Sequence, residues 1–168
     1  MVNESSGERR QITAVFYDIV NSTALLSDWD PEDYEYIQRQ IHATAASIIK
    51  NFDGHFDRIL GDGGCAFFGY PTPAEDAAAA AVSASLEIVH RCQSLQVREL
   101  GRPLSVRVGV ATGTVVVRKA NSDQLPGGAN IVGLAPNLAA RLQALAEPDT
   151  VAVAASTYLL TQWPAPCG

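Results

Sequence analysis

Two aspartates occupy positions where a carboxylate needs a reason to be. Asp18 closes the β-branched and aromatic run of residues 11–20, and Asp62 stands in Gly61-Asp62-Gly63-Gly64 between two apolar stretches. An unpaired carboxylate among apolar side chains is costly to bury, so Asp18 calls for a partner. Asp62 also has a plainer reading, because Asp-Gly is a common hairpin turn. If the sheet brings the strand end to the hairpin tip, the two carboxylates and the Ile19 carbonyl form a hard-oxygen site. Such a site suits magnesium or manganese and a substrate's phosphates. Asn137 and Arg141 are four apart, which puts them on one helical face. Taken singly, Asn137 could be a helix cap after Pro136, and Arg141 a solvated surface arginine.

The elements that must position these groups follow from pattern. Residues 11–20 predict a mostly buried strand ending near Asp18. Asn21-Ser22-Thr23 leads into a short first helix over Ala24-Leu25-Leu26. Asp30-Pro31-Glu32-Asp33 starts a second, which runs to about Phe52 with Ile37, Ile41, Ala45, Ile48 and Ile49 on one face. Residues 55–60 and 65–69 predict strands flanking the glycine-rich turn. The alanine-rich residues 74–96 predict a helix. Two strands are expected at 104–110 and 113–117 around Ala111-Thr112, then a polar loop at 119–129, a helix at 137–146 and a strand at 150–153. The order β-α-α-β-β-α-β-β-α-β contains a βαββαβ core, so the fold class expected is α+β and ferredoxin-like with additional strands. Residues 1–10 read as a flexible tail, and 11–168 as one domain, with room for a longer parent protein.

Bulk composition narrows the functions. The 168 residues are 47% hydrophobic and 18% charged, within the range of a single globular domain. No apolar run approaches the ~18 residues that a membrane span needs, and residues 1–10 carry no signal-peptide core. Three scattered cysteines, Cys65, Cys92 and Cys167, fit neither a disulfide framework nor a zinc knuckle. The expectation is a cytoplasmic protein with no membrane partner. A net charge of −6, with 12 Lys plus Arg, disfavours nucleic acid. A small anionic substrate remains compatible if metal ions and placed arginines supply local positive charge.

Four segments in order sharpen this. Phe16-Tyr17-Asp18-Ile19-Val20-Asn21-Ser22-Thr23, Gly61-Asp62-Gly63, Arg107-Val108-Gly109 and Asn137-Leu138-Ala139-Ala140-Arg141 closely resemble the class III adenylyl and guanylyl cyclases, over roughly residues 10–160. The resemblance implies an enzyme of the adenylate cyclase type, a phosphorus–oxygen lyase acting on a nucleoside triphosphate. It implies that Asp18 and Asp62, with the Ile19 carbonyl, hold two divalent ions, Mg2+ or Mn2+. Backbone amides of Val20, Asn21, Ser22 and Thr23 would receive phosphate oxygens. Arg107 would bind the β- or γ-phosphate, and Asn137 and Arg141 would position the ribose and stabilise charge at the α-phosphate. It further implies a head-to-tail homodimer, with Asp18, Asp62 and Arg107 from one chain and Asn137 and Arg141 from the other.

The sequence departs from the family pattern in four places. Asn21 replaces a usual glycine, a mild change because Asn tolerates left-handed backbone. Arg58 stands where adenylyl cyclases carry the base-reading Lys, and Asn130 where they carry Asp or Thr. Arg58 only donates, which suits adenine N1 or a base carbonyl and counts against the guanine N–H groups. ATP is therefore expected first, with a pyrimidine substrate or relaxed selectivity open. A family hairpin with a phosphate-binding Lys has no counterpart after Lys119. The alternative is a weak or inactive cyclase-fold domain, serving as a nucleotide-binding or dimerisation module. A cyclic-dinucleotide synthase lacks its expected signature here.

Overall fold

A computed structural model describes residues 7–95, 104–118 and 130–161. The elements are β1 (Glu8–Ile19), α1 (Ser22–Asp28), α2 (Pro31–Asn51), β2 (His55–Leu60), β3 (Gly63–Phe68), α3 (Ala77–Ser94), β4 (Val106–Arg118), β5 (Asn130–Val132), α4 (Leu134–Leu145), β6 (Val151–Val153) and α5 (Ala155–Thr161). The strands form one sheet in the order β2-β3-β1-β4-β5, antiparallel throughout, with β6 added parallel to β4. The expected α+β, ferredoxin-like core is present.

Strand alternation sorts the side chains into two layers. Val15, Tyr17 and Ile19 of β1 and Val106, Val108 and Val110 of β4 pack under α2 and α3, with Ile41, Ile49 and Ile88. Ile12 and Ala14 share the other face with Ala111, Val115 and the α4 residues Ala135 and Ala139. Helix α2 forms where its signals predict, with Pro31 in its first turn, Glu32 and Asp33 beside it and Lys50 at its end.

Several boundaries differ from expectation. β1 begins at Glu8, paired with Val117, so Glu8, Arg9 and Arg10 are strand rather than tail. The β2–β3 turn is Gly61-Asp62 alone, and Gly63 and Gly64 already belong to β3. The two strands expected around Ala111-Thr112 are the single strand β4. Thr112 looks like a turn residue but is buried, its hydroxyl bonded to Thr13 at 2.8 Å and Thr157 at 2.9 Å. Helix α4 starts at Leu134, three residues early, because Pro136 fits a first helical turn whose amides lack partners anyway. β5 and α5 are additional. The predicted loop at 119–129, tail residues 1–6 and Gln96 lie outside the described residues. Among the described residues no helix is long and apolar enough to cross a membrane.

Candidate active site

Asp18 is the last inward-turning polar residue of β1, and its register neighbours are Gly63 on β3 and Arg107 on β4. A Cβ at Gly63 would fall 1.9 Å from the Tyr17 carbonyl oxygen, so only glycine lets the hairpin close on β1 here. That closure carries the Gly61-Asp62 turn to the end of β1. The Asp18 carboxyl is half-buried, and its Oδ1 accepts the Ile19 amide at 2.9 Å. Burial pushes it above the usual carboxylate range and the charge of Asp62 adds to that push, against the Ile19 amide, Arg107 and the Gln143 amide. A half-buried carboxyl raised by burial and by a neighbouring carboxylate is what a cation would relieve. Among the described residues no group of three or more His, Cys, Asp or Glu is arranged to hold a metal ion. A cation here would complete its shell from backbone, substrate or water.

Asp62 is anchored from α2. Tyr34 Oη and Gln38 Nε2 both donate to its Oδ1, the latter at 2.6 Å. Burial alone would raise its pKa, but the hydrogen bonds from Ser22, Tyr34 and Gln38, with His42 nearby, hold it below the ordinary value. The Tyr34 phenol is pushed up to about 12 by burial and by its bond to Asp62. Beneath them His42 Nδ1 bonds Tyr17 Oη at 2.7 Å, and burial keeps the imidazole neutral to lower pH than usual.

Arg107 lies across the β1–β4 ladder from Asp18. Its Nη1 donates to the Ala144 carbonyl at 3.2 Å, while its Nε is buried with no protein partner. Helix α4 comes this close because Gly109 has no side chain: a Cβ there would meet the Ala139 carbonyl at 2.1 Å and the Gln143 amide at 2.4 Å. Gln143 Nε2 is buried without a partner at hydrogen-bond geometry, yet its amide lies near enough to Asp18 to favour the charged form.

The remaining predicted residues divide in two. Asn21 sits at φ 58°, ψ 33°, the left-handed conformation expected of a glycine substitute, and α1 begins at Ser22. The Val20 amide, predicted to receive phosphate, instead donates to Ser105 O at 2.9 Å and extends the β1–β4 ladder, leaving Asn21, Ser22 and Thr23. Arg58 is on β2 and Asn130 on β5, the two opposite edges of the sheet, and Asn130 pairs with Arg118 at the far end of β4 from Arg107. Asn137 and Arg141 are exposed on α4, whose buried residues are Ala135 and Ala139. Asn137 lies inside the helix, which removes its reading as a cap. One chain thus gathers Asp18, Asp62 and Arg107, and turns Asn137 and Arg141 outward.

Sequence reasoning missed Tyr34, Gln38 and Gln143. Tyr34 and Gln38 are four apart on α2, a spacing that could have flagged a shared target, but Tyr34 also fits the apolar face. No pattern marks Gln143.

The model of the adenylate and guanylate cyclase catalytic domain family matches residues 4–165. The chain belongs to that family. This cyclase domain is 38% identical over 155 residues to an uncharacterized protein of Rhizobium meliloti, covering 90% of this chain and 15% of that one. It is 30% identical over 115 residues to a cytidylate cyclase of Staphylococcus aureus, covering 66% and 27%. Both relatives are far longer, and the cyclase domain spans under a third of either. Among solved structures it is similar to the guanylyl cyclase Cya2, with a TM-score of 0.83 at 27% identity over 94% of this chain and 81% of that one. It is also similar to the adenylyl cyclase CyaB from P. aeruginosa, with a TM-score of 0.78 at 27% identity over 91% and 81%.

Proposed function

We propose that this domain converts a nucleoside triphosphate, ATP first, to its 3′,5′-cyclic monophosphate and pyrophosphate in composite sites between two copies. The observation that carries the reading is the pairing of Asp18 with Arg107 beside Asp62, which sets two mutually repelling carboxylates next to a guanidinium whose Nε has no protein partner. Asp18, Asp62 and the Ile19 carbonyl would hold two divalent cations, which when bound would lower the pKa of the ribose 3′-hydroxyl and neutralise phosphate charge. Arg107 would take a β- or γ-phosphate oxygen, and the amides of Asn21, Ser22 and Thr23 would receive others. The 3′-oxygen then attacks the α-phosphorus, the bond to pyrophosphate breaks, and the hydroxyl proton leaves to solvent.

Asn137 and Arg141 would complete the site from a second copy, orienting the ribose and meeting charge at the α-phosphate. Their exposure supports this, as does that of Leu134 (83%) and Leu145 (80%) on the same helix. Apolar side chains so bare on one face favour a covering partner. Arg58, a pure donor, and Asn130, a donor and acceptor, suit adenine's ring nitrogen and amino group. A pyrimidine triphosphate is the second reading, supported by the likeness to a cytidylate cyclase. Incubation with Mn2+ and each of the four nucleoside triphosphates tests both. Cyclic AMP as the main product is expected, and cyclic CMP or UMP would favour the second reading. Nucleotide bound without any cyclic product would overturn the enzyme and favour a binding module.

A further inference from the structure

Strand β2 contains one irregularity, and it falls beside the residue on which base selection depends. His55 pairs with Phe67 and Phe56 with Ala66, then the register slips and Arg58, not Asp57, pairs with Cys65. Side chains alternate between faces along a strand, so one inserted residue transfers everything after it to the other face. Phe56 and Ala66 pack under α2 and α3, whereas Phe67 and Phe16, the β1 neighbour of Cys65, pack on the α4 side. With regular pairing, Arg58 would point into the α2–α3 layer. The bulge puts it on the face that carries Asp18 and Arg107.

The inserted residue is itself an acid. The Asp57 side chain is fully buried, while that of Arg58 is 49% exposed. Arg58 Nε donates to Asp57 Oδ2 at 2.9 Å, and Cys65 Sγ donates to the same oxygen at 3.7 Å. His55 Nε2 lies 3.8 Å from Oδ1. Burial and the Asp57 charge push the Cys65 thiol up to about 11, so it remains a neutral donor. An exposed ion pair between chain neighbours would fix little. Here the acceptor is walled in and the Cys65 sulfur also meets the Arg58 side chain, so these buried groups and not the solvent set the plane of the guanidinium.

We propose that Asp57 is a positioning residue that occupies Arg58 Nε, and thereby presents the two Nη groups as a fixed pair of donors to the acceptor edge of the nucleobase. The arrangement uses what Arg has and Lys lacks, a planar fork that can be held at one corner and read at the other two. This rests on the reading that Arg58 meets the base.

Two measurements test it. Steady-state kinetics on all four triphosphates would compare the parent with Asp57→Asn, Arg58→Ala and the double variant. Asp57→Asn should raise KM for the preferred nucleotide by about tenfold and flatten the preference among bases, with a far smaller change in kcat. In the Arg58→Ala background the same substitution should add nothing. An unchanged preference, or an equal effect of Asp57→Asn with Arg58 absent, overturns the proposal. Separately, the Arg58 Nε–H resonance, assigned in the parent alone by through-bond correlation to its own side chain and backbone, should exchange slowly with solvent. Fast exchange overturns the proposal whether or not any variant folds. If no triphosphate is cyclised, the enzyme reading fails, and the exchange rate alone decides the role of Asp57.

Discussion

The two ends of the proposed chemistry are built in opposite ways. The carboxylate end is interlocked by its own chain: Asp62 is held from α2 by Tyr34 and Gln38, Asp18 by the Ile19 amide, and Arg107 by the α4 carbonyl of Ala144. Among the described residues the outer face of α4 has nothing comparable. Asn137 and Arg141 stand exposed among Leu134, Leu138 and Leu145, each at least 40% exposed. Preorganised groups belong where charge must be met without rearrangement. Exposed polar groups among exposed leucines suit the proposed half-site that a second copy would complete.

The largest expected effect breaks the first region. Asp62→Ala should lower cyclase activity by about a thousandfold or more, since it removes a proposed metal ligand. Its thermal midpoint should also fall by a few degrees, because Tyr34 and Gln38 lose their acceptor, and activity that survives in the folded variant would count against a catalytic role. The second region should fail by a different route. Leu134→Glu with Leu145→Glu should weaken self-association by about tenfold or more, because covering a leucine contributes about 1.5–3 kcal/mol. Activity should then depend steeply on protein concentration, which sedimentation and dilution assays would read together. Unaltered association would remove this face from the interface.

A smaller effect separates stability from function within the first region. The Asp18 carboxyl is raised in the folded chain by burial and by Asp62, so its charged form opposes folding when no cation is present. Asp18→Asn should therefore raise the melting temperature of the metal-free domain by a few degrees at neutral pH. The sign follows from proton uptake. As pH falls through the raised folded-state value the native chain binds the proton first, and the gain should vanish below the ordinary value of 3.8. Mn2+ should stabilise the parent and not the variant. A variant less stable than the parent at pH 7 would mean that the Asp18 charge is satisfied within the chain.

What was legible in the sequence follows the same division. Asp18 at a strand end and Asp62 in a hairpin turn could be read directly, since period-2 patterning and turn chemistry are local. The left-handed Asn21 was equally readable. Thr112 misled because a buried hydroxyl network and a turn draw on the same residue type. Pro136 misled because a proline tolerated in the first helical turn resembles one that precedes a helix. The bulge at Asp57 was hidden, as alternation in His55-Phe56-Asp57-Arg58-Ile59-Leu60 does not reveal where a register slips. Tyr34 and Gln38 act on a residue 24 or more positions away, a pairing that only the packed α2 discloses.

The shared site is tested most directly by mixing two inactive proteins, Asp18→Ala and Arg141→Ala. If each site draws Asp18 from one copy and Arg141 from the other, half of the dimers in an equal mixture carry one intact site of two. Activity should then return to about a quarter of the parent's. A mixture as inactive as its components, with exchange of subunits verified, would contradict the composite site.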